Sequence, residues 1–162
     1  MSLRIIATGG TFDKQYDPIT GQLIFVESVL PESLALARIT DRTSFEPLMA
    51  IDSLDMNDTH RGQILSACER SAEHKIVIIH GTDTMRETAQ VLGHAGLQKT
   101  IVLTGAMVPY RVASSDALFN LGFAVAAAQL NAPGVFVAMN GRVFSWDKVR
   151  KNKTDGIFEN AD

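Results

Sequence analysis

Residues 75–88, KIVIIHGTDTMRET, constrain the fold of this chain more than any other stretch. The continuous apolar run at 76–79 predicts a strand that is buried on both faces. A helical pattern begins shortly after that strand, and polar side chains fill the interval. Open parallel sheets place their ligand sites at such strand ends, beside the positive ends of helices. The stretch therefore predicts a parallel strand with polar side chains at its carboxyl end.

Apolar strands alternate with helical patterns along the rest of the chain. Further strands are predicted over 3–7, 23–26, 44–53, 101–103, 134–139 and 142–145, and the pattern at 36–39 also fits a strand. Helices are predicted over 59–73, 84–92 and 117–129, with a short helix or turn at 31–34 and caps at 57–59 and 114–116. This alternation predicts an α/β protein with three layers, in which a mostly parallel sheet carries helices on both faces.

Local signals fix several turns and ends. Thr84 and Glu87 match a capping box at the start of the third helix. Asn140-Gly141 is the strongest hairpin signal in the chain. Residues 13–26 contain two turn signals, and they predict a hairpin or mobile loop that carries Tyr16. The helix at 117–129 is apolar nearly all round, so it is expected to be buried or to lie at a contact between subunits.

The composition limits the classes of function. The chain has 162 residues, 46% of them hydrophobic, so we expect one domain over 1–162 with a sizeable core. A formal net charge of -3 gives no electrostatic footprint for nucleic acid, and no apolar run approaches the ~20 residues of a membrane span. The chain reaches Gly9-Gly10 too soon for a signal peptide. With Cys68 as the single cysteine, these features predict a cytoplasmic protein with a buried, inert thiol.

Side chains able to do chemistry collect at three predicted strand ends. Thr8 and Thr11 follow the first strand, Thr82 and Asp83 follow the strand at 76–79, and Thr104 follows the next. The carboxyl ends of parallel strands lie at one edge of a sheet. We therefore expect hydroxyls, one carboxylate and a glycine-rich backbone to converge on one small cleft.

Thr11 is the candidate nucleophile at this edge. A hydroxyl attacks slowly unless a partner removes its proton. Tyr16 could help to orient or deprotonate Thr11 once its loop closes. The spacing alone favours a simpler interpretation, in which Thr11 satisfies the turn and Tyr16 is a surface aromatic, because hydroxyls are common turn residues.

The pair Thr82 and Asp83 also has two interpretations. Both residue types are common helix caps, and spacing alone favours that role. The predicted capping box that follows them leaves the pair surplus to the helix, which favours a role in chemistry. A deprotonated lysine brought against Thr82 could act as a base. Lys151 and Lys153 are the candidates, although a solvated lysine is the more common case.

The histidines predict no metal site. His60, His74 and His94 are isolated and show no metal-ligand spacing. His80 closes an apolar strand, where histidines are more often hydrogen-bonded structural residues than bases. We therefore expect no metal ion.

Five motifs occur in order along the chain: TGGTFDK at 8–14, SLDMND at 53–58, HGTDTMRETA at 80–89, TGAMVP at 104–109 and VRKNKTDG at 149–156. Together they closely resemble the amino-terminal domain of the bacterial-type L-asparaginase family, shared with the glutaminase-asparaginases. The resemblance covers essentially the whole chain and implies the Rossmann-like fold of that domain. It also implies a single domain without the family's usual carboxyl-terminal domain, which contributes to a neighbouring subunit's site.

The resemblance implies catalytic roles for five residues. Thr11 matches the family's nucleophile, and Tyr16 matches the mobile-loop tyrosine that assists it. Thr82, Asp83 and Lys151 match the Thr–Lys–Asp set, with Lys153 as a nearby competitor for the lysine. The implied reaction is hydrolysis of the side-chain amide of asparagine through an acyl-enzyme, without a metal or organic cofactor.

The resemblance also implies a set of substrate-binding positions. Ser53 matches a serine that helps to bind the substrate α-carboxylate, and Asp83 matches the aspartate that holds its α-amino group. Ala106 corresponds to a backbone position that lines the site, and backbone N–H groups around Thr82 and Gly10 are expected to meet the oxyanion. Leu54 departs from the pattern, because many relatives carry a glutamine there that grips the substrate.

Three functions are compatible with the sequence. The first is an amidohydrolase that acts on a small amino-acid amide, without nucleic-acid or membrane partners and as a homo-oligomer, a dimer or tetramer. The second is a non-catalytic amino-acid-binding module of the same fold, which Leu54 and the short chain favour. The third is an amidase subunit related to the archaeal transfer-RNA-dependent amidotransferases, which the acidic balance of the chain disfavours.

Overall fold

Ten strands and four helices form the part of the chain, residues 2–161, that this computed structural model describes. The strands are β1 (Ser2–Gly9), β2 (Lys14–Asp17), β3 (Gln22–Phe25), β4 (Arg42–Ile51), β5 (Lys75–Ile79), β6 (Thr100–Thr104), β7 (Gly134–Met139), β8 (Arg142–Ser145), β9 (Val149–Asn152) and β10 (Ile157–Asn160). The helices are α1 (Leu30–Leu36), α2 (Asp58–Arg70), α3 (Met85–His94) and α4 (Ala117–Leu130), and short 3-10 turns span Thr11–Asp13 and Ser53–Asp55.

The central sheet has the strand order β4-β1-β5-β6-β7-β8. The first five strands are parallel, and β8 pairs antiparallel with β7 at one edge. The turn between β7 and β8 uses Asn140 and Gly141 with φ values of 55° and 70°, as a type I′ hairpin turn requires. The prediction of a mostly parallel sheet is therefore confirmed. β2–β3 and β9–β10 form separate antiparallel hairpins.

Alternate residues of the strands feed two apolar clusters, one on each face of the sheet. In β5, Ile76 and Ile78 pack with α2 and α3, whereas Val77 and Ile79 pack with α1 and α4. All four side chains are fully buried, and each contributes roughly 1.5–3 kcal/mol relative to exposure. The predicted three-layer arrangement is therefore confirmed.

Three local predictions were wrong. The residues at 36–39 do not form a strand, because α1 extends to Leu36 and Arg38 has a φ of 52°. Thr84 makes no capping bond to α3; its hydroxyl donates instead to the carbonyl of Ser53 at 2.8 Å. α2 ends at Arg70 rather than at 73. In the last turn of the helix, the ammonium of Lys99 donates to the carbonyl of Cys68 at 2.7 Å. In each case a tertiary contact or a turn replaced the local preference.

The tail of the chain forms an unpredicted hairpin. β9 and β10 pair in antiparallel register over Val149–Asn152 and Ile157–Asn160. Val149 and Phe158 are almost fully buried and belong to the same apolar cluster as α2 and α3. These two inward side chains fix the hairpin to the body of the fold. The segment is therefore part of the structural core, and not a solvated tail.

Helix α4 and Cys68 bear on the remaining fold predictions. The inner face of α4 is buried, whereas Phe119 and Leu130 on that helix are exposed. Burial raises the pKa of the Cys68 thiol to about 12, so the prediction of a buried, inert cysteine is confirmed. Within residues 2–161, no helix combines the length and the apolar character that a membrane span requires.

Candidate functional site

Three strand ends meet through a close contact between glycine backbones. A Cβ atom on Gly10, which follows β1 and has a φ of 77°, would lie 2.5 Å from the Cα atom of Gly81, which follows β5. A Cβ atom on Gly81 would in turn lie 2.6 Å from the Oγ atom of Ser53, which follows β4. No larger residue fits at either glycine without a shift of the backbone. The motifs that carry Thr11, Ser53 and Thr82 are therefore packed against one another.

Lys151 reaches this edge from the β9–β10 hairpin. Its ammonium donates to the hydroxyl of Thr82 at 2.8 Å and to Oδ1 of Asp83 at 2.7 Å. The side chain of Lys151 is only 11% exposed. With its oxygen accepting from the lysine, the Thr82 hydroxyl directs its own proton towards the sulfur of Met107, 3.7 Å away. These two bonds join Lys151 to residues that precede it by 69 and 68 positions in the sequence, so local spacing does not predict them.

Lys153 does not share this contact. It is exposed on the turn that follows β9, although it lines the same cavity of about 170 Å³ as Thr82, Asp83 and Lys151. A larger groove of about 560 Å³ runs along α2 and contains none of the predicted site residues. We assign the candidate site to the smaller cavity, because its lining residues carry the hydrogen-bonded lysine.

The structure separates the positions of Thr11 and Tyr16. Thr11 begins the 3-10 turn directly after Gly10 and is partly buried at the sheet edge. Tyr16 lies on β2 and is 62% exposed. The hydroxyl of Thr11 is thus held in the turn that touches Gly81, whereas the aromatic ring stands in solvent on its hairpin.

The expectation that backbone N–H groups around Gly10 and Thr82 meet an oxyanion stays a prediction, but the N–H group of Gly10 itself is not free. The N–H group of Gly10 donates to the carbonyl of Ile51 at 3.0 Å, so it is already occupied. The carbonyl of Gly10 accepts from the N–H group of Asp13 at 3.2 Å and closes the turn around Thr11. Gly10 therefore serves close packing and turn formation, and the backbone near Thr82 remains the candidate for an oxyanion.

Ser53 is held by α3 rather than by its own strand. The side chain of Ser53 is 1% exposed and accepts from the N–H group of Thr84 at 3.3 Å. Its proton is thereby left to bind another acceptor. Asp52 closes the turn by accepting from the N–H group of Leu54 at 3.0 Å and forms an ion pair with Lys14. Leu54 itself is 67% exposed.

The loop around Ala106 is held by Asp116 and Asn120, and the sequence did not predict this role for either residue. Asp116 was predicted as a helix cap, but it accepts from the N–H groups of Met107 and Val108, both at 3.0 Å for the shortest contacts. The side-chain amide of Asn120 donates to the carbonyl of Gly105 at 3.0 Å. Both side chains hold the backbone on either side of Ala106. The signal that could have predicted the role of Asp116 is an aspartate that follows a loop at the end of a strand.

His80 is structural, as the sequence predicted. The ring is fully buried, and its Nδ1–H group donates to the carbonyl of Gly81 at 2.7 Å. Its Nε2 atom lies 2.8 Å from the hydroxyl of Thr88 and accepts from it. Burial lowers the pKa of His80 to about 4, so the ring is neutral near pH 7. The neutral ring fixes the backbone that leads to Thr82.

The described residues give no candidate metal centre. Across residues 2–161, no group of three or more His, Cys, Asp or Glu side chains is arranged to hold a metal ion. The groups that are hydrogen-bonded to one another at the site are the Thr82 hydroxyl, the Asp83 carboxylate and the Lys151 ammonium. Such a set is suited to moving a proton between oxygen and nitrogen and to binding a zwitterion.

Comparison with known proteins places these motifs in context. Residues 2–159 match the family model described as asparaginase, N-terminal. The chain is 36% identical over 168 residues to L-asparaginase 2 of Escherichia coli (strain K12), an alignment that covers 96% of this chain and 48% of that protein. It is 35% identical over 173 residues to the probable periplasmic L-asparaginase of Haemophilus influenzae, again covering 96% and 48%.

A solved structure gives the same result for the fold. The crystal structure of a probable cytoplasmic L-asparaginase from Campylobacter jejuni superposes with a TM-score of 0.83 at 32% identity, covering 99% of this chain and 53% of that one. The chain spans about half the length of the relatives that it matches. The predicted resemblance and fold class are confirmed by these matches.

Proposed function

The chain belongs to the asparaginase family, by the match of its amino-terminal domain model to residues 2–159, and from this premise we propose that it carries the catalytic groups of an amidohydrolase acting on the side-chain amide of L-asparagine. The products are L-aspartate and ammonia. One observation carries the proposal: Lys151 bonds to both Thr82 and Asp83 beside the glycine contact that brings the Thr11 turn to the same edge.

In the first half of the reaction, Thr11 attacks the amide carbon of the substrate. Tyr16 takes or orients the proton of the Thr11 hydroxyl after the β2–β3 hairpin closes over the site. The backbone near Thr82 stabilises the oxyanion. The proton taken from Thr11 passes to the amide nitrogen, the C–N bond breaks, ammonia leaves, and the β-carboxyl group of the substrate remains as an ester on Thr11.

In the second half, water releases aspartate from that ester. Thr82 and Lys151 activate this water by moving its proton along the Lys151–Thr82 hydrogen bond. For this step Lys151 acts as a deprotonated amine: it accepts the proton of the water through the Thr82 hydroxyl, and a proton is returned to the Thr11 oxygen when the ester bond breaks, which restores the Thr11 hydroxyl. Asp83 holds Lys151 in place by their hydrogen bond. The catalytic groups named in these two halves belong to this chain, and neither half uses a cofactor.

The substrate is held through its α-amino and α-carboxylate groups. Oδ1 of Asp83 accepts from Lys151, and the side chain is 34% exposed, so an oxygen of Asp83 remains to bind an ammonium. The Ser53 hydroxyl, oriented by the N–H group of Thr84, donates to the carboxylate. Leu54 supplies no polar contact, so substrate binding is expected to be weaker than where a glutamine follows this serine.

The assembly and compartment are part of the same proposal. We expect a homo-oligomer, a dimer or tetramer, and the exposed Phe119 and Leu130 on α4 support this expectation because they offer apolar surface to a second copy. A cytoplasmic location is consistent with the free Cys68 and with the name of the Campylobacter jejuni relative. The name of the Haemophilus influenzae relative points to the periplasm instead, so fractionation of the native host decides between them.

The direct test is release of ammonia from L-asparagine by the purified protein. We expect turnover in the wild type, and its loss in Thr11→Ala and in Thr82→Ala, with both variants still folded by circular dichroism. L-Glutamine and other amino-acid amides serve as parallel substrates. Near-normal activity in the Thr11 variant would refute the nucleophile assignment, and no turnover of any amide by the wild type would refute the proposal.

The second candidate function is a binding module that retains the pocket without turnover. The exposed positions of Leu54 and Tyr16 favour it, because neither side chain is held in place by packing. Calorimetric titration with L-aspartate separates the two. Binding that Thr11→Ala leaves unchanged, with no ammonia from any amide, would establish the module instead of the enzyme.

A further inference from the structure

The β2–β3 hairpin is attached to the fold by a buried carboxylate at its base. Asp13 ends the 3-10 turn that begins at Thr11, and only 4% of its surface is exposed. Its Oδ1 atom accepts from the hydroxyl of Ser28 at 3.0 Å and from the N–H group of Val29 at 2.9 Å. We call these two bonds the Asp13 anchor. They tie the residue directly before the hairpin to residues three and four positions after its end.

The same aspartate also closes the turn around the candidate nucleophile. The N–H group of Asp13 donates to the carbonyl of Gly10 at 3.2 Å, which fixes the backbone on either side of Thr11. Phe12, between them, is fully buried, and its carbonyl accepts from the N–H group of Tyr110 at 3.3 Å. One residue thus joins the Thr11 turn, through its main chain, to the Tyr16 hairpin, through its side chain.

The rest of the hairpin is held loosely. Tyr16 is 62% exposed and Ile19, at the tip, is 92% exposed. The other attachments near the base include a partly buried ion pair between Lys14 and Asp52, and exposed bonds that join Gln15 to the carbonyl of Glu27 at 3.0 Å and to Arg111 at 3.3 Å. The exposed bonds of Gln15 compete with water and contribute little to stability. Asp13 is the most deeply buried residue of this group, and its two charge-assisted bonds join the two ends of the hairpin to each other.

The burial of a carboxylate also shows that the two bonds matter. Removal from water raises the pKa of the Asp13 carboxyl, against the lowering effect of the bonds from Ser28 and Val29. A cavity of about 230 Å³ beside it is lined otherwise by apolar groups and by Ser28. A group in such surroundings is retained at a cost in desolvation. An apolar residue would fill the space but could not join the two ends of the hairpin.

We propose that Asp13 is a positioning residue, whose side chain anchors the base of the β2–β3 hairpin and so sets Tyr16 relative to Thr11. This inference rests on the proposed function for its effect on turnover, but not for its effect on the hairpin. Asp13 touches no substrate. It acts on the reaction through the placement of Tyr16, so its loss lowers kcat more than it changes KM.

The test compares Asp13→Ala, which removes both bonds, with Asp13→Asn, whose amide oxygen can accept them both. Amide hydrogen exchange of peptides covering 14–29 is measured in each. We expect exchange in Asp13→Ala to accelerate about tenfold or more across the hairpin, since bonds to a charged group are lost, and to stay near the wild-type rate in Asp13→Asn. Peptides from β5 and β6 should exchange as in the wild type in both variants.

Asp17→Ala is the matched control in the same hairpin. Asp17 accepts from the N–H groups of Ile19 and Thr20 at the exposed turn, so its loss should accelerate exchange at the tip alone. Ser28→Ala removes one anchor bond without leaving a buried charge unpartnered, and it supplies the test if Asp13→Ala does not fold. Equal acceleration at the base in the Asp13 and Asp17 variants, or none in either Asp13→Ala or Ser28→Ala, would overturn the proposal.

Steady-state kinetics supplies the second readout. We expect kcat for Asp13→Ala to fall about tenfold with little change in KM, and kcat to recover in Asp13→Asn. A rise in KM alone, or failure of the Asn variant to recover kcat while hairpin exchange is normal, would refute the link to Tyr16. If the wild type releases no ammonia, the exchange data still decide whether Asp13 anchors the hairpin, so the two failures are distinguishable.

Discussion

The two hairpins at the candidate site are attached to the fold in different ways. β9–β10 contributes the buried side chains of Val149 and Phe158 to the core, and Lys151 on it is 11% exposed and hydrogen-bonded to Thr82 and Asp83. β2–β3 places Tyr16 in solvent, 62% exposed. The lysine side of the proposed machinery is therefore assembled in advance. The tyrosine side is exposed, and in the proposed function its hairpin closes over the site when substrate binds.

The difference predicts which catalytic side chains are already oriented before substrate binds and which become ordered when it binds. A side chain fixed by core packing is oriented without further loss of entropy when substrate binds. A side chain on an exposed hairpin is ordered at that moment, and the closure can exclude water from the ester intermediate. The four predictions that follow test this contrast, from the largest expected effect to the smallest.

Lys151→Met should lower kcat by about 10³-fold, because it removes the group that exchanges a proton with Thr82. Lys153→Met, two residues along the same hairpin, should change kcat by less than about threefold, because an exposed charge is screened by solvent. Ammonia release under saturating L-asparagine measures both. A larger loss in the Lys153 variant would show that the hairpin shifts in solution and that its attachment is not rigid.

Phe158→Ala should lower the free energy of unfolding by about 3 kcal/mol or more, because it leaves a cavity in the core beneath β9–β10. Ile157→Ala, its 40% exposed neighbour, should cost less than about 1 kcal/mol. Urea unfolding followed by Trp146 fluorescence gives both values. Similar small effects for the two substitutions would mean that this hairpin is no better anchored than β2–β3.

The stability of the fold should depend on pH through the buried ring of His80. The pKa of His80 is lowered to about 4 by burial, whereas an unfolded chain takes up that proton near pH 6.5. The unfolded state thus binds more protons between these values, and stability falls as pH falls. We expect the free energy of unfolding to drop by about 2 kcal/mol from this group between pH 7.5 and pH 5.

His80→Gln isolates the contribution of His80 to this pH dependence. The variant should be less stable at pH 7.5 and should show a flatter dependence above pH 5 in urea titrations. Glu73, whose pKa is lowered to about 2 by hydrogen bonds, loses its contribution only below about pH 4.5. The raised pKa of Asp13 contributes with the opposite sign, but it does so in the wild type and in the variant alike, so the difference between their slopes reports His80. An unchanged slope in the variant would show that the ring is accessible to protons in the folded state.

Tyr16→Phe should lower kcat about tenfold and leave the free energy of unfolding unchanged, because its exposed hydroxyl contributes to no packing. Ile19→Ala at the hairpin tip is the control and should alter neither quantity. Loss of stability in the Tyr16 variant, or wild-type kcat, would remove the need for closure and make the two hairpins equivalent.

Much of the fold followed from the periodicity of the chain. The runs at 76–79 and 101–103 are continuous and apolar, and each is a central strand buried on both faces. Asn140-Gly141 determined its turn, because this pair readily adopts positive φ. The β9–β10 hairpin was missed, because only Val149 and Phe158 on it are buried apolar residues and most of the residues between them are polar. Four-residue strands with one inward side chain each give no measurable period.

The candidate site was predicted in part. The positions of Thr11, Thr82 and Asp83 at one sheet edge followed from strand ends in a parallel sheet. The capping-box prediction at Thr84 failed, because Thr84 bonds to Ser53 from another strand end. The anchor at Asp13 had no signal either, since its partners lie 15 and 16 residues away across the hairpin. The catalytic roles of Thr11, Thr82 and Asp83 stay predictions until the variants are measured.

By itself, the sequence determined which segments form the parallel strands of the central sheet and which polar residues follow them. These properties depend on local hydrophobic pattern and backbone preference, and both are encoded within a few residues. Only the tertiary structure decided that Lys151 rather than Lys153 meets Thr82, that Gly10 loses its N–H to Ile51, and that Asp13 holds the hairpin base. Contacts of this kind depend on the relative placement of distant elements, which packing of the whole core fixes.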